Sequence, residues 1–412
     1  MSKIIEAKTP KGFRDFLPSQ QRQRNFVVEK LKKVFESFGF EPLETPAIEY
    51  AETLEGKYGE DEKLIYKFED RGGRMVALRY DQTVPLARVV AQYRNLPKPF
   101  KRYQIQPAWR GENPQKGRFR EFLQCDFDTV GSDSPLADAE TITVVITAMK
   151  MLGFKNFKVL ISNRKLLTRL MKESGVPEDK IISAITAVDK LSKIGSKKVT
   201  GELVERGIPK ETAVKVLTTF SNAKPSEELM KVFEYLSLAN LQDYFSFEPS
   251  LARGLNYYTG TIFELKVDGY EAGSLGGGGR YDNLIGLFTG QNQPAVGFSF
   301  GFDRLLEALD QFNLLPSIQG SARVLITIFN EALLPKSLEV SSLLRESGVN
   351  NEIYLDYKVK LEKQLKYADN KNIPYVVIIG PEEAEKNEVT LKNLLTKEQK
   401  RIAVDQLKNF IR

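Results

Sequence analysis

The stretch from Trp109 to Val130 carries the side chains best suited to chemistry in this sequence. Two alternating runs flank a break at residues 113–117, where Asn-Pro and Gly are turn signals, and the pattern predicts an antiparallel hairpin. Arg110 and Glu112 fall on one face of the first strand. In the second strand, residues two apart share a face. One face then carries cations, an aromatic ring, an amide and carboxylates in that order: Arg118, Arg120, Phe122, Gln124, Asp126 and Asp128.

A face whose charges are segregated by sign favours a binding site. It suits a ligand with phosphates and a flat ring at one end, and a cationic or hydrogen-bonding group at the other. The alternative is the solvated face of an antiparallel sheet, where charges are normally interspersed. Segregation along the strand argues against that alternative.

The residue types also limit the chemistry. The chain has 412 residues with no histidine and one cysteine. That composition excludes histidine-based triads, histidine-ligated metals, Cys/His zinc sites and an internal disulfide framework. Catalysis must therefore use Arg, Lys, carboxylates, hydroxyls and backbone groups, which favours electrostatic stabilisation over proton shuttling.

Composition predicts a globular protein of two or three domains, with 42% hydrophobic and 28% charged residues. The net charge of +6 is a weak sign of a polyanionic partner. Between Arg94 and Arg120 there are eight Lys or Arg against one acidic residue, a concentration suited to phosphates.

No apolar run approaches the roughly 20 residues of a membrane span, and the first 15 residues lack an apolar signal core. We therefore expect a cytoplasmic protein without membrane contact.

The first elements place a carboxylate at a strand end. Residues 19–38 predict an amphipathic helix with Ser19 as its cap and Gly39 at its exit. Residues 75–81 predict a strand and residues 82–94 a helix, with Asp81 between them. On pattern alone, Asp81 either binds a ligand ammonium or is a solvated loop carboxylate.

The next part of the chain changes from a mixed pattern to a helical one. Residues 137–152 predict a helix and 157–161 a strand, and residues 163–244 then predict an all-helical insertion between sheet strands. The predicted helices of the insertion cover residues 165–174, 179–193, 210–220 and 226–238. The pattern leaves open whether this insertion is a packing module or contacts nucleic acid.

Glycines dominate the next part of the chain. Gly254 and Gly260 bracket a predicted turn, and residues 261–267 alternate as a strand. The run Gly276–Gly279 predicts a flexible loop whose backbone can approach a ligand, and it lacks the terminus of a Walker motif. Residues 296–300 predict a strand, and an apolar helix follows through Leu309. A cation at a helix start is electrostatically unfavourable, which indicates a functional role for Arg304.

The C-terminal part predicts a small α/β domain. Residues 315–321 read as a linker, and strand and helix patterns alternate after it, which implies parallel strands. The predicted strands cover residues 324–328, 352–355 and 375–379, with helices through 344 and over 360–370.

Several motifs together resemble a known family. Arg110, Glu112, Arg118 and Phe122 resemble motif 2 of class II aminoacyl-tRNA synthetases, and QCDFDTVG, LRYDQTVPLAR and LARGLNYYTG resemble histidyl-tRNA synthetases specifically. The resemblance spans essentially the whole chain. It implies an α+β class II synthetase core, a mixed and largely antiparallel sheet flanked by helices, with the helical insertion and a C-terminal α/β anticodon-binding domain. The implied ranges are 1–320 for the core, interrupted by 163–244, and 322–412 for the anticodon domain.

The resemblance also implies an activity and its partners. It implies ATP-dependent ligation of L-histidine to tRNA(His) through a histidyl-adenylate, with Mg²⁺ accompanying ATP. The helix at 19–38 and Pro46 resemble motif 1 of the class, which implies a homodimer. The insertion is expected to contact the acceptor stem of the tRNA.

Roles for single residues follow from the same resemblance. Arg253 and Arg110 are expected to hold the α-phosphate, where a fixed guanidinium stabilises charge that develops as a carboxylate attacks. The expected ATP-binding set is Arg110, Glu112, Arg118, Phe122 and Arg304, with the adenine between the last two. The expected substrate-binding set is Asp81, Thr83 and Gln124 for the ammonium, Asp128 and Tyr258 for the imidazole, and Tyr281 nearby. Two positions depart from the family: Asp81 stands where many relatives have Glu, and Asn256 where Asp is common.

Two alternatives belong to other classes or substrates. One is a catalytically silent, synthetase-like regulatory subunit of ATP phosphoribosyltransferase, but this chain keeps Arg110, Arg118, Arg253 and Arg304 and a domain after residue 321. The other is a synthetase for a different amino acid, which Asp128, Tyr258 and the LARGLNYYTG run oppose.

Overall fold

A computed structural model describes residues 4–115, 117–252 and 257–411 of the chain. The chain divides into two compact units, residues 1–315 and 316–412, and each contains its own buried hydrophobic clusters. In the described part of the chain, no helix is both long enough and apolar enough to cross a membrane.

The described strands of the first unit form one large and one small sheet. They are β1 (Glu41–Pro42), β2 (Ile48–Tyr50), β3 (Lys67–Glu69), β4 (Met75–Leu78), β5 (Phe100–Trp109), β6 (Glu121–Val130), β7 (Phe157–Asn163), β8 (Phe245–Phe247), β9 (Thr261–Val267), β10 (Gly276–Arg280) and β11 (Ala295–Gly301).

The α-helices of the first unit flank these sheets or lie in the insertion. Those described are α1 (Pro18–Ser37), α2 (Ala51–Leu54), α3 (Thr83–Gln92), α4 (Pro135–Met151), α5 (Arg164–Glu173), α6 (Ile181–Val188), α7 (Leu191–Glu205), α8 (Lys210–Ser221), α9 (Glu227–Leu238), α10 (Gly286–Thr289) and α11 (Phe302–Gln311).

The large sheet is mixed and mainly antiparallel, as predicted. Its order is β1-β5-β6-β11-β10-β9-β7-β8, and only the two edge pairs, β1 with β5 and β7 with β8, run parallel. The small sheet has the order β2-β4-β3. The core of the unit is built on aromatic side chains such as Phe35, Phe127 and Phe300, which pack between the large sheet and α1.

The predicted hairpin is present, but its first strand begins earlier in the chain, its second strand is shorter and its connection is wider than expected. β5 and β6 pair from Phe100 opposite Val130 to Trp109 opposite Glu121, so the connection covers residues 110–120 rather than 113–117. Backbone groups of this connection bond to other segments of the chain. The amide of Gly111 donates to the carbonyl of Leu64 at 2.7 Å, and the amide of Arg120 donates to the carbonyl of Gly12 at 2.9 Å. These bonds attach the connection to distant segments, while Gln115 and Arg118 pair with each other within it.

The glycine run is not a flexible loop, and that prediction was wrong. Gly276–Arg280 forms β10, which hydrogen-bonds to β9 on one side and β11 on the other. Glycine has little intrinsic preference for strands. The two neighbouring strands supply the partners that the local sequence does not specify.

Helix boundaries differ from the predictions at two places. α1 starts at Pro18 and Leu17 precedes it, so Ser19 lies within the first turn and does not cap the helix. Proline suits this first helical position because its missing N–H is not needed there. In the insertion, the predicted helix over 179–193 is divided into α6 and α7, and α7 extends to Glu205, which the pattern did not show.

The second unit is an α/β domain with a five-stranded sheet. Its order is β13-β12-β14-β15-β16, with β12 parallel to both β13 and β14, as predicted. The antiparallel pair β15 and β16 at one edge was not predicted. The described elements are β12 (Val324–Ile326), α12 (Leu334–Glu346), β13 (Asn351–Ile353), α13 (Leu361–Asn370), β14 (Tyr375–Ile378), α14 (Pro381–Glu385), β15 (Glu388–Asn393) and β16 (Gln399–Ala403).

Candidate active site

One cleft over the centre of the large sheet collects the predicted site residues. It has a volume of about 690 Å³. Every predicted site residue that the structure describes lines it: Asp81, Thr83, Arg110, Glu112, Arg118, Phe122, Gln124, Asp128, Tyr258, Tyr281 and Arg304. Arg253 and Asn256 lie outside the described residues. Side chains from distant parts of the sequence therefore meet over β6, β10 and β11.

Strand alternation explains how β6 contributes to the cleft. Phe122, Gln124, Asp126 and Asp128 line it, while Cys125 and Phe127, on the opposite face, are fully buried in the core. The sequence predicts this division, but it holds only from Gln124 onward: Leu123, on the predicted core face, also lines the cleft. Along that part of the strand, a packing side alternates with a binding side.

Two glycines of the central strands leave room for side chains that line the cleft. A Cβ on Gly297 of β11 would lie 1.9 Å from Oδ1 of Asp128. A Cβ on Gly279 of β10 would lie 2.9 Å from the ring of Tyr258 and 2.5 Å from the carbonyl oxygen of Thr261. Real side chains essentially never approach this closely, so these positions accept only glycine while Asp128 and Tyr258 keep their places.

Cations surround the end of the cleft near the 110–120 connection. The Nε of Arg110 donates to the carbonyl of Tyr80 at 3.1 Å, and its guanidinium carbon lies 4.3 Å from the centre of the Tyr80 ring and 5.0 Å from that of Phe122. Arg118 pairs with Glu112 at 3.4 Å and is half exposed. The Phe122 ring and the Arg110 guanidinium are therefore neighbours, and Arg118 lines the same cleft.

Arg304 completes this end of the cleft from the start of α11. Its Nη1 donates to the carbonyl of Ser274 at 3.2 Å. Burial lowers the pKa of Arg304 from its usual value, and the positive charge of Arg118 adds to the effect. Guanidinium groups remain charged in proteins, so their proximity creates a site that an anion would stabilise.

At the other end, Asp81 is buried rather than solvated. Its Oδ1 accepts hydrogen bonds from the Tyr58 hydroxyl at 3.0 Å and from the amides of Thr83 and Val84 at 3.1 Å each. Its Oδ2 has no hydrogen-bond partner among the described residues. Burial raises the pKa of Asp81. The structure excludes the alternative of a solvated loop carboxylate.

Asp128 is held by two partners. The hydroxyl of Tyr281 donates to its Oδ1 at 2.5 Å, and Nη2 of Arg102 lies 2.7 Å from its Oδ2. Burial raises the pKa of Asp128, while Arg102 and the Tyr281 hydroxyl act in the opposite direction. Arg102 is fully buried, and sequence reasoning assigned it only to the basic run. Its register opposite Asp128 on β5 is the signal that would have located it.

The basic run between residues 94 and 120 is less concentrated in the structure than composition suggested. Lys101 pairs with Glu140 at 2.8 Å, Lys98 donates to Gln293 at 2.7 Å, and Arg102 lies under Asp128. Of this run, Arg110 and Arg118 are the described cations that line the cleft. The other described Lys and Arg side chains of the run do not line the cleft.

Asp126 is a cleft residue to which no role was assigned from the sequence. It is 2% exposed, and its Oδ1 has no hydrogen-bond partner among the described residues. Burial raises the pKa of Asp126 to about 7, against the attraction of Arg102. Gln124 beside it donates to Ser299 Oγ at 3.2 Å, and the Oε1 of Gln124 also lacks a partner in the described ranges.

The segment before α1 contacts two elements at the cationic end of the cleft, the 110–120 connection and α11. We call residues 10–16 the N-terminal strap. Arg14 of the strap pairs with Asp303 at 2.9 Å, and its guanidinium carbon lies 3.2 Å from the centre of the Phe119 ring. Arg24 of α1 pairs with the other oxygen of Asp303 at 2.9 Å. Asp303 precedes Arg304, so the strap connects the 110–120 connection to the start of α11.

The described residues contain no group of three or more Cys, Asp or Glu side chains placed to bind a metal ion. A protein-built metal centre is therefore absent from the described part of the cleft. A cation that enters with a polyphosphate would take most of its ligands from phosphate oxygens and water, as Mg²⁺ commonly does.

Comparison with known proteins gives the same assignment along the whole chain. A family model described as histidyl-tRNA synthetase matches residues 12–305, and one described as anticodon binding domain matches residues 323–412. A histidine–tRNA ligase from Rhodopirellula baltica is 41% identical over 97% of this chain and 96% of its own. The crystal structure of a histidyl-tRNA synthetase from Nostoc superposes with a TM-score of 0.85 at 35% identity, covering 99% of both chains.

A structure described as an ATP phosphoribosyltransferase regulatory subunit/histidyl-tRNA synthetase, from Bacillus halodurans, has a TM-score of 0.76 at 22% identity. It covers 89% of this chain and 97% of its own, and at this identity it shows a shared fold alone. The predicted fold class is confirmed by the sheet topology and by these neighbours. The chain belongs to the histidyl-tRNA synthetase family.

Proposed function

We propose that this chain is a histidine–tRNA ligase, which forms histidyl-adenylate from L-histidine and ATP and transfers the histidyl group to tRNA(His). The observation that carries the proposal is the single cleft that contains all the described candidate residues, with cations at one end and carboxylates at the other. Full-length relatives that carry the name histidine–tRNA ligase support it.

The nucleotide binds at the cationic end. Adenine stacks between Phe122 and Arg304, a flat ring and a flat cation that enclose a third planar group. Arg110 holds the α-phosphate together with Arg253, and Arg118 holds the γ-phosphate, with Glu112 as its partner in the absence of ligand. In the structure the guanidinium carbon of Arg110 lies 5.0 Å from the centre of the Phe122 ring, so the cation for the α-phosphate and the ring for adenine are already neighbours.

Activation at this end is electrostatic. The histidine carboxylate attacks the α-phosphorus and pyrophosphate leaves, and the guanidinium groups stabilise charge on the equatorial oxygens. Mg²⁺ accompanies ATP, bound mainly by its phosphates.

Histidine binds at the carboxylate end. Asp81 and Gln124, each with an unpartnered oxygen, and Thr83 bind the ammonium. Asp128 and Tyr258 take the two imidazole nitrogens, one of which donates while the other accepts in the neutral ring. Tyr281 and Arg102 fix the orientation of Asp128. A buried polar pair of this kind rejects isosteres that leave it unpaired.

In this proposal the first unit catalyses the reaction and the second unit recognises the tRNA. We propose a catalytic core at residues 1–320, interrupted by the helical insertion at 163–244, and an anticodon-binding domain at 322–412. The insertion would contact the acceptor stem. The match of residues 323–412 to an anticodon-binding model supports the second assignment.

The enzyme is a cytoplasmic homodimer in this proposal. The small sheet β2-β4-β3 presents Ile48, Tyr50 and Phe68 at 45%, 51% and 43% exposure, an apolar surface that a second copy would cover. Sedimentation at micromolar concentration should give twice the mass of one chain. Tyr50→Glu should shift the population toward monomer, and a wild-type monomer would contradict this assignment.

Histidine-dependent ATP–pyrophosphate exchange tests the activity. Exchange should occur with L-histidine and with no other amino acid. Exchange with a different amino acid would identify another synthetase. No exchange at all would favour a silent regulatory subunit, which the retention of Arg110, Arg118 and Arg304 in one cleft argues against.

A further inference from the structure

Three buried acceptor atoms of the cleft share one property. Oδ2 of Asp81, Oε1 of Gln124 and Oδ1 of Asp126 each lack a hydrogen-bond partner among the described residues, and all three side chains line the cleft. Buried acceptors normally find partners, because leaving one unpaired costs free energy. An ammonium group has three N–H donors and no acceptor, so its hydrogen-bonding needs match this set.

The buried carboxyl groups of the cleft also favour an ammonium ligand. Asp81, Asp126 and Asp128 are each 3% exposed or less, and the ion pair given for these carboxylates in the described residues is that of Arg102 with Asp128. No ion pair is given for Asp81 or Asp126 in the described residues, so both carboxyl groups are available to pair with a cationic ligand. Asp128 accepts a hydrogen bond at Oδ1 and forms an ion pair with Arg102 at Oδ2, whereas Oδ1 of Asp126 has neither a hydrogen bond nor an ion pair among the described residues.

We propose that Asp126 is a further binding residue for the amino-acid substrate, with its Oδ1 accepting the third N–H of the histidine ammonium beside Asp81 and Gln124. This inference rests on the proposed function, since it assumes that histidine occupies this end of the cleft. Alternation places Gln124 and Asp126 on the same face of β6, and Ser299 of β11 lies opposite Asp126 in the sheet. Gln124, Asp126 and Ser299 all line the cleft.

Protonation is coupled to this role. The groups that act on Asp126 come from every neighbouring element: Arg102 on β5, Asp128 on β6, Ser299 on β11, and Asp81, Arg79 and Tyr257 from the surrounding loops. Burial raises the pKa of Asp126 to about 7. At pH 6.5 the carboxyl group is therefore largely protonated before binding. An ammonium favours the carboxylate, so histidine binding releases a proton from Asp126.

A ligand pair isolates the ammonium contact. L-Histidine and 3-(imidazol-4-yl)propionate share the imidazole and the carboxylate but only the first has the ammonium. Calorimetry should show that Asp126→Asn weakens histidine binding about 10- to 100-fold, the range for a charged hydrogen bond, and changes propionate binding less than about twofold. Asp81→Asn serves as the positive control and should show the same selectivity.

Each other outcome is informative. Equal losses for both ligands would mean that Asp126 contacts the imidazole or only supports the fold, and an unchanged histidine affinity would mean that it makes no contact; either result overturns the inference. Failure of the wild-type protein to bind histidine would instead overturn the proposed function.

A measurement on the wild-type protein covers the case in which Asp126→Asn does not fold. Calorimetry at pH 6.5 in two buffers of different ionisation enthalpy counts the protons released. After subtraction of the protons that each free imidazole itself loses on binding at this pH, histidine should release about one proton more than the propionate analogue. Equal corrected counts for the two ligands would exclude an ammonium contact by Asp126.

Discussion

At the scale of single residues, the positions of two cleft side chains depend on two glycines. Gly297 lies beside Asp128 in the sheet, and Gly279 lies beside Gly297 on the next strand. A side chain at Gly297 or Gly279 would displace Asp128, Tyr258 or backbone atoms. The carboxylate and the phenol that we assign to the imidazole therefore owe their positions to two residues that make no contact through side chains.

Replacing Gly297 with alanine should abolish histidine use. The new Cβ would lie 1.9 Å from Oδ1 of Asp128, so the carboxylate must move out of place. We expect kcat/KM for histidine in pyrophosphate exchange to fall at least about 100-fold, and stability to fall by about 1–3 kcal/mol from overpacking. Gly301→Ala, on the same strand, is the matched control, because its Cβ would lie 3.5 Å from the carbonyl of Leu275, an ordinary contact. Normal histidine kinetics in Gly297→Ala would contradict the assignment of Asp128.

Asp126 should make the fold less stable as pH rises. Burial raises its pKa to about 7, above the value near 3.9 expected in the unfolded chain, so between these values the folded state holds the proton more tightly. Stability from this group is full below about pH 4 and declines through about pH 7. Asp126→Asn should therefore be more stable than the wild type at pH 8, by on the order of 2–4 kcal/mol, and similar at pH 4.

Urea unfolding at the two pH values measures this difference. Asp310→Asn, at an exposed aspartate, is the control and should show no such trend. A variant less stable than the wild type at pH 8 would show that the Asp126 carboxylate is stabilised in the fold by partners rather than reserved for a ligand.

At the scale of elements, the N-terminal strap joins two parts of the proposed ATP site. Arg14→Leu removes both the ion pair with Asp303 and the contact with the Phe119 ring. Because these contacts hold the 110–120 connection against α11, KM for ATP should rise about 3- to 10-fold while KM for histidine stays constant, a loss of about 1 kcal/mol.

Lys8→Leu is the matched control for the strap. Lys8 pairs with Glu6 in full exposure to solvent, and removal of such a pair should leave both KM values unchanged. An equal change in the two KM values for Arg14→Leu would indicate a general loss of folding rather than a loss of nucleotide positioning.

Strong local patterns were sufficient to predict some elements. The helix now seen as α1 and the strand β9 follow from clear periodicity, and the faces of β6 follow from strict alternation. The glycine strand β10 could not be predicted, since its pairing is imposed by β9 and β11. The connection at residues 110–120 was misjudged because its backbone bonds reach Leu64 and Gly12, distant in sequence.

The sequence predicted which side chains would line one cleft, but not the contacts that they make within it. Motif spacing identified side chains that the fold brings into one cleft. It did not show that Arg102 lies beneath Asp128 or that Tyr281 donates to it, because both contacts depend on sheet register. Asp126 was on the predicted face, yet only its burial and its unpartnered oxygen indicate a role.

At the scale of the whole molecule, each unit has its own core. Separate hydrophobic clusters occupy residues 1–315 and 316–412. We therefore expect a chain ending at residue 320 to fold and to catalyse histidine-dependent pyrophosphate exchange within about threefold of the full chain. Its charging of tRNA(His) should fall at least about 100-fold, since anticodon contacts are lost.

Parallel assays of exchange and aminoacylation on the same preparation measure both quantities. Equal losses in the two assays would show that residues 321–412 support the first step as well. Full aminoacylation by the shortened chain would remove the anticodon-binding assignment.

The two glycines also set a direction for engineering. Neither Gly279 nor Gly297 has a side chain to shorten, so no substitution there enlarges the cleft. Selection for amino acids bulkier than histidine must gain its room from the walls, at positions such as Tyr258. Selection for smaller ones must use the walls as well, because a Cβ at either glycine would displace Asp128 or Tyr258 rather than fill space beside the ligand.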